Sequence, residues 1–305
     1  MALSTLQLGV SPLSWTNDVL PDLGNEIALE TCLQEAAAAG YQGIELGRKF
    51  PRTPQALAPL LDQAGLRLAS GWHSGFLAER SLEDELTAVR DHAILLSKLG
   101  AKVLVYGECG KLPGAAPLDQ PLSLSPALCT IDLPAYASRL NAFADILLRD
   151  YELQLACHHH LMLLVEQHDE LMAFLDATSD NVGLVLDSGH ACAADVDIAA
   201  VLAKAGHRVR HIHLKDVRPE ILQRVRAEDL SFNQAVRLGL FTVPGDGCID
   251  YTPLFNFIEQ GNYQGWLIVE AEQDPSLAPP LATVTRAARW VRQHITSTAP
   301  QEETV

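Results

Sequence analysis

Three apolar runs in this chain end abruptly in side chains that bind metal ions: Val182-Gly-Leu-Val-Leu-Asp187, Val209-Arg-His-Ile-His213 and Trp266-Leu-Ile-Val-Glu270. Ending a buried strand in Asp, His or Glu is costly, because the side chain gives up its hydration and must find a partner. For any one of them a neighbouring ion pair or backbone group is the simpler explanation. Three at equivalent positions predict that the strand ends converge on one cation. Carboxylate oxygens with an imidazole nitrogen suit a divalent Mn, Co, Mg or Zn ion that keeps positions open for substrate.

A fourth run ends in His158-His159-His160. Alternate side chains of a strand share a face, so His158 and His160 point one way and His159 the other. Either of the first two can supply a fourth ligand, and at least one of the three is expected to be structural. Further polar groups stand at or just beyond strand ends: Glu45, His73, Glu108, His190, Lys215 and Glu272. A general base beside the cation has to come from such a group, although each taken singly reads as an ordinary rim residue.

Short β-rich runs position these residues. They fall at 8–11, 43–46, 66–72, 102–106, 153–158, 183–187, 209–214 and 266–270, with helical periodicity between them. In the segment 81–99, Ser81 can cap the N-terminus, Leu86, Val89, Ala93 and Leu96 share a face, and Gly100 ends the helix. Further helices are expected at 27–39, 134–149, 166–177, 199–205 and 281–294. Strand–helix alternation implies parallel strands joined by crossovers, and eight repeats in one chain of this size imply an α/β fold of the (β/α)8 TIM-barrel type. A doubly wound sheet would open with a glycine-rich phosphate loop, whereas the first strand here leads into Ser11-Pro-Leu-Ser-Trp15-Thr-Asn17-Asp18. Residues 1–295 are read as a single barrel domain and 296–305 as a frayed polar tail. The long segments 107–131 and 216–244 follow strand C-termini, where long loops act as lids or substrate walls.

Composition narrows the function classes. The 305 residues carry 22 Lys+Arg against 38 Asp+Glu, a net charge of -16, which repels nucleic acid and anionic lipid alike. No run is apolar enough to span a membrane, and the N-terminus lacks the pattern of a secretory signal. The six cysteines form no C-x-x-C pair and read as small buried hydrophobes. A cytoplasmic enzyme acting on a small molecule is the resulting expectation, with a homo-oligomer left open.

Asp187-Ser-Gly-His190, His211-Ile-His213-Leu-Lys215-Asp216 and Glu270 resemble the xylose-isomerase-like TIM-barrel superfamily. With Gly9-Val-Ser-Pro-Leu-Ser-Trp15-Thr-Asn17-Asp18, Gly43-Ile-Glu45, the triple histidine, Phe241-Thr-Val-Pro-Gly-Asp-Gly and Glu270-Ala-Glu272-Gln-Asp-Pro275, the resemblance narrows to the inosose dehydratases of inositol catabolism and covers nearly the whole chain. It implies a metal-dependent hydro-lyase, using manganese or cobalt, that dehydrates 2-keto-myo-inositol to a cyclic dione. It also implies His158, Asp187, His213 and Glu270 as metal ligands and His190 as a contact to substrate oxygens. Beside such a cation, Glu45 or a strand-five His is the expected base, His190 or Lys215 is expected to assist the departing hydroxyl, and Trp15, Asn17, His73, His160 and Glu272 are the expected substrate contacts. A ketose epimerase or isomerase on the same barrel, or a polyol-binding barrel without activity, are the alternatives. One departure stands out: the family usually continues Met-Gly-Thr after the histidines, and this chain has Leu161-Met162-Leu163.

Overall fold

The computed structural model describes residues 6–296; residues 297–305 of the expected tail lie outside the described residues, and Thr296 ends the last helix. Strands β1 (Gln7–Val10), β2 (Gly43–Leu46), β3 (Arg67–Gly75), β4 (Val103–Glu108), β5 (Gln154–His158), β6 (Val182–Asp187) and β7 (Val209–Leu214) form a closed parallel barrel. Two short strands follow, β8 (Asp216–Val217) and β9 (Phe241–Thr242), which pair antiparallel outside it. The barrel closes through β10 (Trp266–Val269), which pairs with β7 on one side and β1 on the other. All eight expected strands are present.

Helices between the strands put one apolar face against the barrel. In the helix Leu82–Lys98, Val89, Ala93 and Leu96 are buried, and the Ser81 hydroxyl accepts from the Asp84 amide, as the capping pattern predicts. The helices Pro54–Ala64 and Thr252–Phe257 have no counterpart among the expected ones. Both begin with a proline near N1, a position where the missing N–H costs nothing. The cysteine reading needs correction. Only Cys32 and Cys157 are buried, while Cys129 and Cys248 are exposed and all six are free thiols. Among the described residues no helix is long and apolar enough to cross a membrane.

The long segments form the wall of the barrel mouth. The β4 loop is a series of 3-10 turns that ties itself to the β7 insertion: Asn233 Nδ2 donates to Asp119 Oδ1 (2.7 Å), Ser123 donates to Asp229, and Pro121 bridges to Ser231. The β7 insertion holds two helices, Pro219–Ala227 and Phe232–Arg237.

Candidate metal centre and cavity

The four expected ligands meet at the C-terminal ends of their strands. Asp187 is the register partner of His213, and His213 is the partner of Ile268, so neighbouring strands deliver neighbouring side chains. His158 Nε2 lies 3.2 Å from His213 Nδ1 and 3.5 Å from Asp187 Oδ2. His213 Nδ1 is 3.4 Å from Asp187 Oδ2 and 3.3 Å from Glu270 Oε2. Atoms bound about 2.1 Å from a shared ion stand roughly 3.0–3.5 Å apart, which is the spacing found.

Hydrogen bonding fixes which atom each residue presents. The Nδ1–H of His158 donates to the His159 carbonyl (2.6 Å), leaving Nε2 as a lone pair. The Nε2–H of His213 donates to Glu45 Oε1 (3.2 Å), leaving its Nδ1 as a lone pair. Asp187 Oδ1 caps the helix Ser188–Ala193 by accepting the His190 amide (2.8 Å), while the buried Oδ2 has no hydrogen-bond partner. Glu270 turns Oε1 to Lys215 Nζ (2.7 Å) and Oε2 to the cluster. Two lone pairs and two carboxylate oxygens therefore converge, a set that fits a divalent cation. Orienting groups behind the ligands are a common feature of metal sites.

Glu45 is one such group. Its Oε1 also accepts from Ser70 and from His211 Nε2 (2.9 Å). Burial pushes its carboxyl up, but His213 and His211 outweigh it and hold it well below its ordinary value. His211 lies two residues before His213 on the same face of β7, an alternation that could have marked it as a second-layer partner. Sequence reasoning assigned His211 no role.

Lys215 is fully buried against three carboxylates, with Nζ 3.4 Å from Asp187, 2.7 Å from Glu270 and 2.8 Å from Glu272. Burial alone would pull its pKa down; the carboxylates outweigh it and raise it, so it is the cation of this network. Gly189 lets the stem pass, because a Cβ there would fall 2.5 Å from Lys215 Cγ. His190 receives the Leu161 amide at Nδ1 (3.2 Å) and lies against His160, centroids 3.7 Å apart and rings tilted by 31°. Burial and the neighbouring His160 and Lys215 push His190 well below its ordinary pKa.

A cavity of about 250 Å³ opens above the cluster, lined by His158, His213, Glu270, Glu45, Asn17, His160 and Glu272 among others. Asn17 Oδ1 accepts the Val19 and Leu20 amides, and its buried Nδ2 has no partner, so a donor is held ready for ligand oxygen. Asn17, His160 and Glu272 thus lie where substrate contacts were expected.

Four expected site residues do not line the cavity. Trp15 is buried in the core and donates from Nε1 to Glu35 (2.7 Å). His73 faces outward and pairs with the buried Glu85 (2.6 Å). The reason is strand length: β3 runs on to Gly75, so His73 lies inside the strand and alternation sends Trp72 and Ser74 to the cavity instead. Trp72 is 38% exposed, its ring edge-on to His158 and His160, in space opened by Gly107, where a Cβ would lie 2.2 Å from the indole. His190 and Lys215 are both 0% exposed, behind His160 and Glu272. Neither is among the residues lining the cavity, and both reach it through the side chains in front of them. Glu108 is also structural, accepting from Tyr106 (2.7 Å), Gly110 (2.8 Å) and Ala78 (3.3 Å).

In the departure after the histidines, Met162 adopts φ 66°, the left-handed region that favours glycine. Its side chain is completely buried beside Leu20, Val225 and Phe241, and that burial offsets the backbone cost of about 1–2 kcal/mol. Leu163 next to it lines the cavity.

A profile of the family described as xylose isomerase-like TIM barrel matches residues 33–294. The chain belongs to this family. It is 41% identical over 282 residues to the rhizopine catabolism protein MocC of Rhizobium meliloti, covering 92% of this chain and 86% of that one. It is 39% identical over 293 residues to the inosose dehydratase of Clostridium perfringens, covering 95% and 98%. Among solved structures, the IOLI protein with a binding zinc atom superposes with a TM-score of 0.66 at 16% identity over 97% of this chain and all of that one, a likeness of fold.

Proposed function

We propose that this chain dehydrates a cyclic ketopolyol, converting 2-keto-myo-inositol to a trihydroxycyclohexane-dione in inositol catabolism. The observation that carries the reading is the convergence of His158, Asp187, His213 and Glu270 beneath a cavity, in a chain 39% identical to an inosose dehydratase. The proposal treats residues 1–295 as one catalytic domain. It names manganese or cobalt as the ion, with magnesium or zinc also suited to the donor set. A cytoplasmic setting is part of it, supported by six unpaired thiols.

When bound by those four residues, the cation would polarise the ketone and acidify the neighbouring C–H. Glu45 lines the cavity with its three hydrogen bonds on Oε1, which fixes the carboxylate and makes Oε2 the atom that takes the carbon-bound proton. Asn17 Nδ2 holds a ring oxygen. Glu272, facing the cavity with Lys215 at 2.8 Å, passes a proton to the departing hydroxyl so that it leaves as water. Lys215 and His190 act through Glu272, and Trp72 supplies a flat surface for the C–H face of the ring. The epimerase and inactive-barrel alternatives have no observation of their own in their favour.

The test is turnover. Protein reconstituted with Mn or Co and mixed with 2-keto-myo-inositol should eliminate water, giving the absorbance of an enolised dione. Undiminished activity after complete removal of metal, or conversion to an epimer without loss of water, would sink the proposal.

A further inference from the structure

Asn17 reaches the cavity from the loop between β1 and the helix Leu29–Ala38, and all but one of its polar groups are already committed. Its amide donates to the Leu23 carbonyl (3.1 Å), and its Oδ1 accepts the Val19 and Leu20 amides at 2.9 and 2.7 Å. Its carbonyl accepts from Arg48 Nε (2.8 Å). Only Nδ2 is left over, without a partner on a fully buried side chain. An amide pinned at its other atoms holds that donor in one direction.

Arg48 follows β2 and does not itself line the cavity. It spans the turn that carries Asn17: its backbone amide donates to Asp18 Oδ1 (3.2 Å), Nε to the Asn17 carbonyl, and Nη2 to the Pro21 carbonyl (2.9 Å). One planar, permanently charged fork thus holds two carbonyls at once, a grip that a lysine ammonium on a flexible stem does not reproduce. At the far end of the loop, Lys49 Nζ donates to the carbonyls of Gly24, Asn25 and Ile27. The loop also has apolar anchors of its own in Leu20 and Leu23, both buried. Those anchors keep the segment docked, and what the guanidinium adds is the placement of Asn17.

We propose that Arg48 is a positioning residue that acts through Asn17, its grip on the Asn17 and Pro21 carbonyls aiming Nδ2 at a substrate oxygen. The inference rests on the dehydration reading for what Asn17 contacts. It assigns Arg48 to substrate affinity rather than to the chemical step, because a hydrogen bond to an oxygen that does not react is made equally in the ground and transition states.

Steady-state kinetics of the metal-loaded protein with 2-keto-myo-inositol compare Asn17→Ala, Arg48→Met, Arg48→Lys and the double variant Asn17→Ala/Arg48→Met. Hydrogen exchange of residues 17–23 is followed on the same samples without substrate. Asn17→Ala and Arg48→Met should each raise KM about 10-fold, with kcat within about 2-fold of the parent. The double variant should have the KM of Asn17→Ala alone, since a residue that acts through Asn17 then has nothing left to position. Exchange at the Val19 and Leu20 amides should speed up in Arg48→Met. Arg48→Lys should fall between the parent and Arg48→Met in both readouts, and it carries the comparison if the methionine variant does not fold. Unchanged KM on loss of the guanidinium, KM effects that multiply in the double variant, or unchanged exchange overturns the inference. A parent protein that does not dehydrate the ketone overturns the dehydration reading alone, and the exchange measurement, which needs no substrate, then decides whether Arg48 holds Asn17.

Discussion

Asp187 and His213 are register partners across β6 and β7, and they present Oδ2 and Nδ1 to each other at 3.4 Å with no hydrogen bond between them. Each is held from behind, Asp187 through its helix cap and His213 through Glu45. Two acceptors pinned face to face in a buried site are stable only if a proton or a cation lies between them. In the metal-free protein, burial opposes protonation of His213, but Glu270 and Glu45 outweigh it and raise its pKa.

Asp187→Asn should separate the two jobs of this carboxylate. The amide oxygen still accepts the His190 N–H, so thermal stability of the metal-free protein stays near that of the parent. Bound metal, measured by elemental analysis after dialysis, should fall with activity by two orders of magnitude or more. Asp187→Ala also loses the cap and about 1 kcal/mol of stability. Full metal retention by the asparagine variant would contradict the ligand assignment.

Glu45→Gln removes the acceptor that orients His213. Metal affinity should drop about 10–100-fold, measured by competition with a chelator, and kcat should fall further than affinity because the proposed base is gone. Loss of affinity with kcat intact would reduce Glu45 to an orienting role.

Trp72 and His73 should behave oppositely. Trp72→Ala should raise KM with little change in unfolding free energy, because the ring is partly exposed in the cavity. His73→Ala takes a partner from the fully buried Glu85, leaving the Phe76 amide at 3.1 Å and Arg80 at 3.3 Å, and should cost about 1–3 kcal/mol in urea unfolding with KM unchanged. The reverse pattern would restore His73 as the substrate contact.

Lys215→Met leaves three buried carboxylates without their shared cation, and loss of one partner in such a network costs about 3–5 kcal/mol. Denaturant titration of the metal-free protein should show this loss, and added metal should recover part of it. A variant as stable as the parent would mean the carboxylates are protonated in the resting protein.

Burial lifts the Glu108 carboxyl from 4.5 to about 7, partly offset by hydrogen bonds from Tyr106, Gly110 and Ala78. A raised acid stabilises the fold below its unfolded pKa, and that stability is lost as pH rises from about 4.5 through about 7. The full swing is on the order of 3 kcal/mol. Glu108→Gln should therefore flatten the fall in stability between pH 5 and pH 8; an unchanged slope would assign the fall to other groups.

Strand–helix alternation by itself determined the barrel, because parallel strands require crossovers and the hydrophobic period records each element. The candidate ligands were legible for a related reason: three buried runs ending in Asp187, His213 and Glu270 at equivalent strand positions are explained more simply by one shared partner than by three separate ones. The resemblance added His158 over His160, and the geometry brings His158 into the cluster. What lay beyond the strand ends was not legible. His73 read as a residue beyond the strand end, where alternation sets no direction; because β3 continues through it to Gly75, it lies inside the strand and faces opposite to Ser70, Trp72 and Ser74. The burial of Lys215 and His190 behind Glu272 and His160, and the role of His211 under Glu45, arise from contacts between segments far apart in the chain. Only the closed barrel brings those segments within hydrogen-bonding reach, and only the docking of its long loops decides which side chains a ligand can touch.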